Sequence, residues 1–173
     1  PASLRAVFTY FGRFLEEQRG LKREDVLLAK LSDETERVAV SFLLRLSPKL
    51  YHTEQDSQFY AIWFQEKDVY NQALVLLNDL VKKLTQQKIP LAREMIHCFF
   101  NKENKVFVDN IIEASRAIEI SPLEQIGLAI WPEIKPKGAR DIAYLMLKKT
   151  GQPLHFRDIA NKANDLPNYF LPK

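Results

Sequence analysis

Apolar residues along this chain recur at three- and four-residue steps, and the steps are broken by turn signals at three comparable places. Leu21, Leu91 and Leu154 each follow such a break. Seven residues before them stand Phe14, Leu84 and Leu147, ten before stand Phe11, Val81 and Tyr144, and five after stand Val26, Ile96 and Ile159. A three-residue step puts the two earlier positions of each set on one face of a helix. Gly20, Pro90, and Gly151 with Pro153 supply the breakers. The pattern predicts three copies of helix, turn, helix.

The first two copies continue in parallel. Val38 to Ser47 and Val106 to Ser115 both read V-x-V-x-x-[LI]-[LI]-x-x-S, at a constant offset of 68 residues. Each then leaves the helical period. Phe59 to Trp63 is β-prone and follows the polar stretch Thr53 to Ser57, and Ile126 to Trp131 follows Ser121-Pro122-Leu123-Glu124. Trp63 and Trp131 lie 42 and 40 residues after their anchors, and each is expected to lid its unit's core.

Helix, turn, helix, helix and hairpin is the order of a winged helix-turn-helix. The fold expected is therefore mainly α, as tandem winged helix-turn-helix units with short two-stranded β wings. Unit one spans about 3–66, unit two 68–132 and unit three 136–173. Unit three shows only its first two helices, about 137–150 and 154–164; its third helix and wing are expected past Lys173, the alternative being that this copy is degenerate. In unit one, Phe11, Phe14, Val26, Leu43, Leu44 and Trp63 should share a core.

Composition narrows the class. Of 173 residues 46% are hydrophobic and 27% charged, ordinary for a chain that buries a core. The only cysteine, Cys98, sits among apolar neighbours and is expected to be a buried packing thiol in a reducing, cytoplasmic setting. No apolar run is long enough for a membrane span, and Pro1-Ala2-Ser3 does not open a signal peptide. A chain starting at proline reads as an excised piece of something longer. Charge is unevenly spread. From Ile134 onward eight Lys and Arg face three Asp, a net +5, which leaves −2 of the total +3 for the residues before it. The C-terminal part is the candidate for a polyanion partner.

The same part carries a sequence resemblance. Asp141-Ile142-Ala143-Tyr144-Leu145-Met146-Leu147-Lys148 followed by Gly151-Gln152-Pro153-Leu154-His155-Phe156-Arg157-Asp158-Ile159-Ala160 resembles the HARE-HTH domain, whose motifs run DxAYxVLK and G-x-PLHF-x-[ED]-IA. The match covers roughly the last 40 residues. The lead-in Ile126 to Ile134 resembles the one found in bacterial proteins that carry a sigma-factor region-4-like helix-turn-helix upstream; no such motif is present here. The resemblance implies DNA binding, or a link between transcription proteins and effectors, in a nucleoid-associated bacterial protein.

Lys135, Lys137, Arg140, Lys148, Lys149, His155, Arg157 and Lys162 form the candidate nucleic-acid surface. His155, at a helix start, either meets a phosphate or caps and packs, and Phe156 is expected in the core. The third helices of units one and two mix Arg37, Arg45, Lys49, Lys102, Lys105 and Arg116 with Asp33, Glu34, Glu36, Glu103, Asp109, Glu113 and Glu119, a poor face for phosphates. No histidine stands at metal-ligand spacing, and no GxSxG, P-loop or GxGxxG occurs, so neither an enzyme, a cofactor nor a metal is expected. The expected function is a DNA-associated transcription regulator that binds double-stranded DNA, with RNA polymerase or another transcription protein as a further partner. The alternatives are a protein-interaction scaffold of tandem winged helices and a DNA-targeting accessory domain of a restriction or modification enzyme.

Overall fold

The structure is a computed structural model that describes residues 4–164. It is mainly α-helical, with a three-stranded and a two-stranded antiparallel sheet. The chain runs α1 (Leu4–Glu17), β1 (Leu21–Arg23), α2 (Glu24–Leu27), α3 (Glu34–Arg45), β2 (Tyr51–Thr53) and β3 (Ile62–Phe64). It continues through α4 (Lys67–Gln87), α5 (Arg93–Phe99), α6 (Lys105–Ala114), β4 (Ile118–Ile120), β5 (Ile126–Leu128), α7 (Ala139–Thr150) and α8 (Phe156–Asn164).

The order of elements repeats. In the first sheet β3 lies between β1 and β2, with Leu21 opposite Phe64. In the second, β4 pairs with β5, and Leu91 bridges to Ile126 where a strand like β1 would lie. The leucine anchors thus hold the turn after each long helix against the hairpin that closes the segment. The repeated serine ends each third helix by the same device. The Ser115 hydroxyl accepts from the N–H groups of Ala117 and Ile118, and that of Ser47 from Lys49. An Asx side chain opens both helices: Asp33 accepts from the Thr35 N–H and Asn104 from Val106.

Two apolar cores result, and the larger is shared. Phe11, Leu15, Leu27, Leu28, Leu44, Leu50 and Trp63 bury one cluster, with Phe14 beside it. Val26 and Leu43 are only half-buried. Leu27 and Leu28, on the adjoining turn of α2, point inward in place of Val26. The second cluster draws on α4, Ile96 of α5, α6 and β5, and also on Leu21, Phe59, Ile62 and Phe64 from the first segment. Successive β3 residues alternate faces, so Trp63 serves the first core while Ile62 and Phe64 serve the second.

The structure departs from the sequence pattern at several positions. Both tryptophans pack on their cores but from different places: Trp63 is the centre of β3, whereas Trp131 lies three residues beyond β5 and covers the second core half-buried. Trp131 and Ile134 fold back over Gly127, where a Cβ would come within 2.7 Å of Ile134 and 2.9 Å of Trp131. The glycine is therefore required by this close approach. Cys98 is exposed, because the buried face of the short α5 is set by Ile96.

Helices α7 and α8 fall close to the expected ranges and pack through Ile142, Leu145, Met146, Ile159 and Ala163, with Leu123 beneath them. Tyr144 and Leu147 instead face outward, and Phe156 is 68% exposed. The interface with α8 takes the opposite side of α7, and no described residue covers the rest. Phe156 opens α8, so its ring leans back past the helix contact and lies on His155, 4.4 Å between centroids. The Leu166 to Pro172 stretch lies outside the described residues.

Candidate functional site

The candidate basic residues all lie on α7, α8 or the segments before them, and all eight are exposed. Two already have carboxylate partners. Lys135 donates to Glu119 at 2.6 Å, which holds its ammonium above the usual value. Lys148 lies 3.5 Å from Glu133 and 5.7 Å over the Tyr144 ring. Among the described residues Lys137, Arg140, Lys149, Arg157 and Lys162 make no ion pair. Arg140, Tyr144, Leu147 and Lys148 share one face of α7 by their three- and four-residue spacing. Arg157 and Lys162, five apart on α8, point about 140° away from one another. The charges ring the two-helix pair and do not form one stripe.

His155 is part of the α8 cap. Its carbonyl accepts from the N–H groups of Asp158 and Ile159, and its Nδ1 lies 3.4 Å from the Arg157 N–H. Asp141 does a similar job on α7 by accepting from the Lys137 N–H at 2.9 Å. The ring of His155 remains exposed at that helix start.

The third helices of the two repeats differ in what covers them. Helix α6 buries Phe107, Val108, Asn110, Ile111, Ile112 and Ala114. Lys22 on β1 donates to Asn110 Oδ1 and to Glu113, and Asn110 Nδ2 donates to the Gln18 carbonyl. The 56–60 loop adds a seam: Tyr60 N–H donates to Ala114, Arg116 N–H to Gln58, and the Arg116 guanidinium to the Asp56 carbonyl. Burial works to raise the Asp56 carboxyl. The N–H groups of Phe59 and Gln58, the Tyr70 hydroxyl and the Arg116 charge outweigh it and hold it low.

Helix α3 is open along its length. Val38, Phe42 and Leu46 are 63%, 63% and 59% exposed, one turn apart on one face. A groove of about 810 Å³ runs beside them, between α3, the start of α2 and the Gln55–Ala61 loop. Spacing at i, i+4, i+8 was the signal for this face, hidden because it shares the helix with Val40 and Leu44, which face the core.

Beneath the groove Glu24 ties four elements together. It accepts from the Ser41 hydroxyl at 2.7 Å and from the Trp63 indole at 3.2 Å, and His52 Nε2 lies 3.4 Å from it. That nitrogen is in ion-pair range but poorly directed for a hydrogen bond, and finds no other partner among the described residues. His52 first, then Ser41 and Trp63, hold the Glu24 carboxyl down to about 2, against the opposing effect of burial. The order serine, carboxylate, imidazole is wrong for nucleophilic catalysis, which needs the imidazole between the other two. Among the described residues no group of three or more His, Cys, Asp or Glu is placed to hold a metal ion, and no helix is long and apolar enough to cross a membrane.

Comparison with protein-family models, with curated proteins and with solved structures finds no match to this chain.

Proposed function

We propose that this chain is a non-catalytic, transcription-associated protein of tandem winged-helix units, in which the first two units form a rigid protein-docking body and the α7–α8 segment is the DNA-facing part. The observation that carries this division is the burial of α6 under β1. A reading helix must lie in the major groove with its side chains free, and those of α6 are engaged with Gln18 and Lys22. Helix α3 is free, but it presents valine, phenylalanine and leucine flanked by Glu34 and Asp25, which suits a protein surface better than phosphates. The net +5 of the C-terminal segment supports contact with double-stranded DNA there, as do Lys137, Arg140, Lys149, Arg157 and Lys162, which make no ion pair among the described residues. The partner of the docking body is RNA polymerase or another transcription protein, and the site of action is the nucleoid.

Fluorescence anisotropy with a short duplex at two salt concentrations tests this. Affinity should fall steeply with salt, and Lys148/Lys149/Arg157→Ala should lower the log–log salt slope by about 2–3, near one for each phosphate no longer neutralised. No binding at low salt would leave the chain as a protein-interaction scaffold alone.

A further inference from the structure

We infer that the exposed face of α3 is a self-association surface, on which a second copy of this chain packs its own α3 antiparallel about a two-fold axis. The inference rests on the reading that α3 meets protein and not DNA. Three side chains with about 60% exposure leave on the order of 300 Å² of apolar surface on one helix face, within the range of the largest patch on a typical monomer, which is often functional.

Charge names the occupant. The first turn of α3 carries Glu34 and Glu36, its last turn carries Arg45, and Lys49 follows. Such a distribution also suits the helix dipole, but here Glu34 and Arg45 flank the apolar stripe on the same face. Each has a partner on its own chain, Arg37 at 3.6 Å for Glu34 and Glu54 at 2.8 Å for Arg45, but with 80% and 44% of the side chain exposed both can turn to a second copy. A two-fold axis near residue 40 sets Phe42 of each copy against Val38 of the other. The same operation brings Glu34 within about a residue of Arg45 of the second copy, and symmetry makes that contact twice. A parallel arrangement would set Glu34 on Glu34 and Arg45 on Arg45. The groove beside α3 gives the incoming Phe42 space between Leu28, Ser41 and Tyr60. Helix α3 is about 18 Å long, so the interface is small and belongs with transient associations.

Sedimentation velocity of the whole chain from 1 to 200 μM tests the inference, with self-dissociation expected on the order of tens of micromolar. Phe42→Arg should leave a monomer throughout. Glu34→Lys and Arg45→Glu should each weaken the dimer at least tenfold, and the double variant should recover most of the affinity. Because Arg45 also pairs with Glu54 at 2.8 Å, thermal melts of each dilute variant establish that it stays folded. A wild-type chain that stays monomeric to 200 μM, or a double variant as weak as either single one, overturns the inference. The underlying reading fails separately, if Phe42→Arg or Glu34→Lys changes affinity for duplex DNA by more than about twofold at concentrations where the chain is monomeric.

Discussion

Helices α3 and α6 share one sequence pattern and lead different lives. Val38 and Val106 open it, Leu43-Leu44 and Ile111-Ile112 fill its middle, and Ser47 and Ser115 close it. Yet Phe42 is 63% exposed, and Asn110, its equivalent at the same offset, is 3% exposed. The polar residue is inside and the aromatic one outside. The inversion follows from neighbours. Asn110 meets a carbonyl and an ammonium that satisfy its amide, so its burial is compensated. Phe42 meets no second layer. A repeated pattern fixes which residues face each unit's own hairpin; the opposite face is decided by what docks there.

The two helices should differ most at the equivalent positions Ile111 and Leu43. Ile111→Ala, in the covered helix, should cost about 2–5 kcal/mol in denaturant unfolding, whereas Leu43→Ala, half-buried in the open one, should cost under about 1.5 kcal/mol. Equal costs would mean that both helices are equally enclosed in solution.

A smaller effect separates the ways the helices are anchored. Helix α3 is tied down through Ser41 to Glu24, a carboxyl whose folded value is depressed from 4.5 to about 2. A depressed acid stabilises the fold above its ordinary value, and that contribution is lost as pH falls through the folded one. Stability should therefore decline between about pH 4.5 and pH 2, by about 1–2 kcal/mol from this group once solvent screening is discounted. Glu24→Gln should remove that amount at neutral pH and flatten the acid limb. Hydrogen exchange in acid should open α3 amides before those of α6.

The smallest single effect, at Phe42, makes the sharpest contrast. Phe42→Ala should change the stability of dilute protein by no more than about 0.5 kcal/mol, while Asn110→Ala, which strands Lys22 and the Gln18 carbonyl, should cost about 1–3 kcal/mol. Thermal melts of the two variants side by side would decide it.

Helical period and turn residues were enough to read α7 and α8 to within two residues, the anchors Leu21 and Leu91, and the hairpin after each third helix. They were not enough to say which face of a helix is covered. Tyr144, Leu147 and Phe156 lie on sound apolar spacings and still face outward, because spacing defines a stripe without supplying its partner. The tryptophans show the same limit. Trp63 and Trp131 are nearly equidistant from their anchors, but the pairing of Leu21 with Phe64 and of Leu91 with Ile126 places them differently about the strand. At the candidate site, the basic residues and their exposure were legible from composition. The carboxylates that neutralise Lys135 and Lys148 come from residues 15 or 16 positions away, and only the folded chain brings them close.

One strand bears on how the chain can be divided. Trp63 belongs to one core, and Ile62 and Phe64 to the next, while Phe59 reaches across to bridge Ser115. The repeat boundary in the sequence is therefore not a seam in the interior. Severing the chain near residue 66 would strip Leu21, Phe59, Ile62 and Phe64 of their partners and leave a raw apolar face on both pieces. The two repeats should therefore melt together in a single cooperative step.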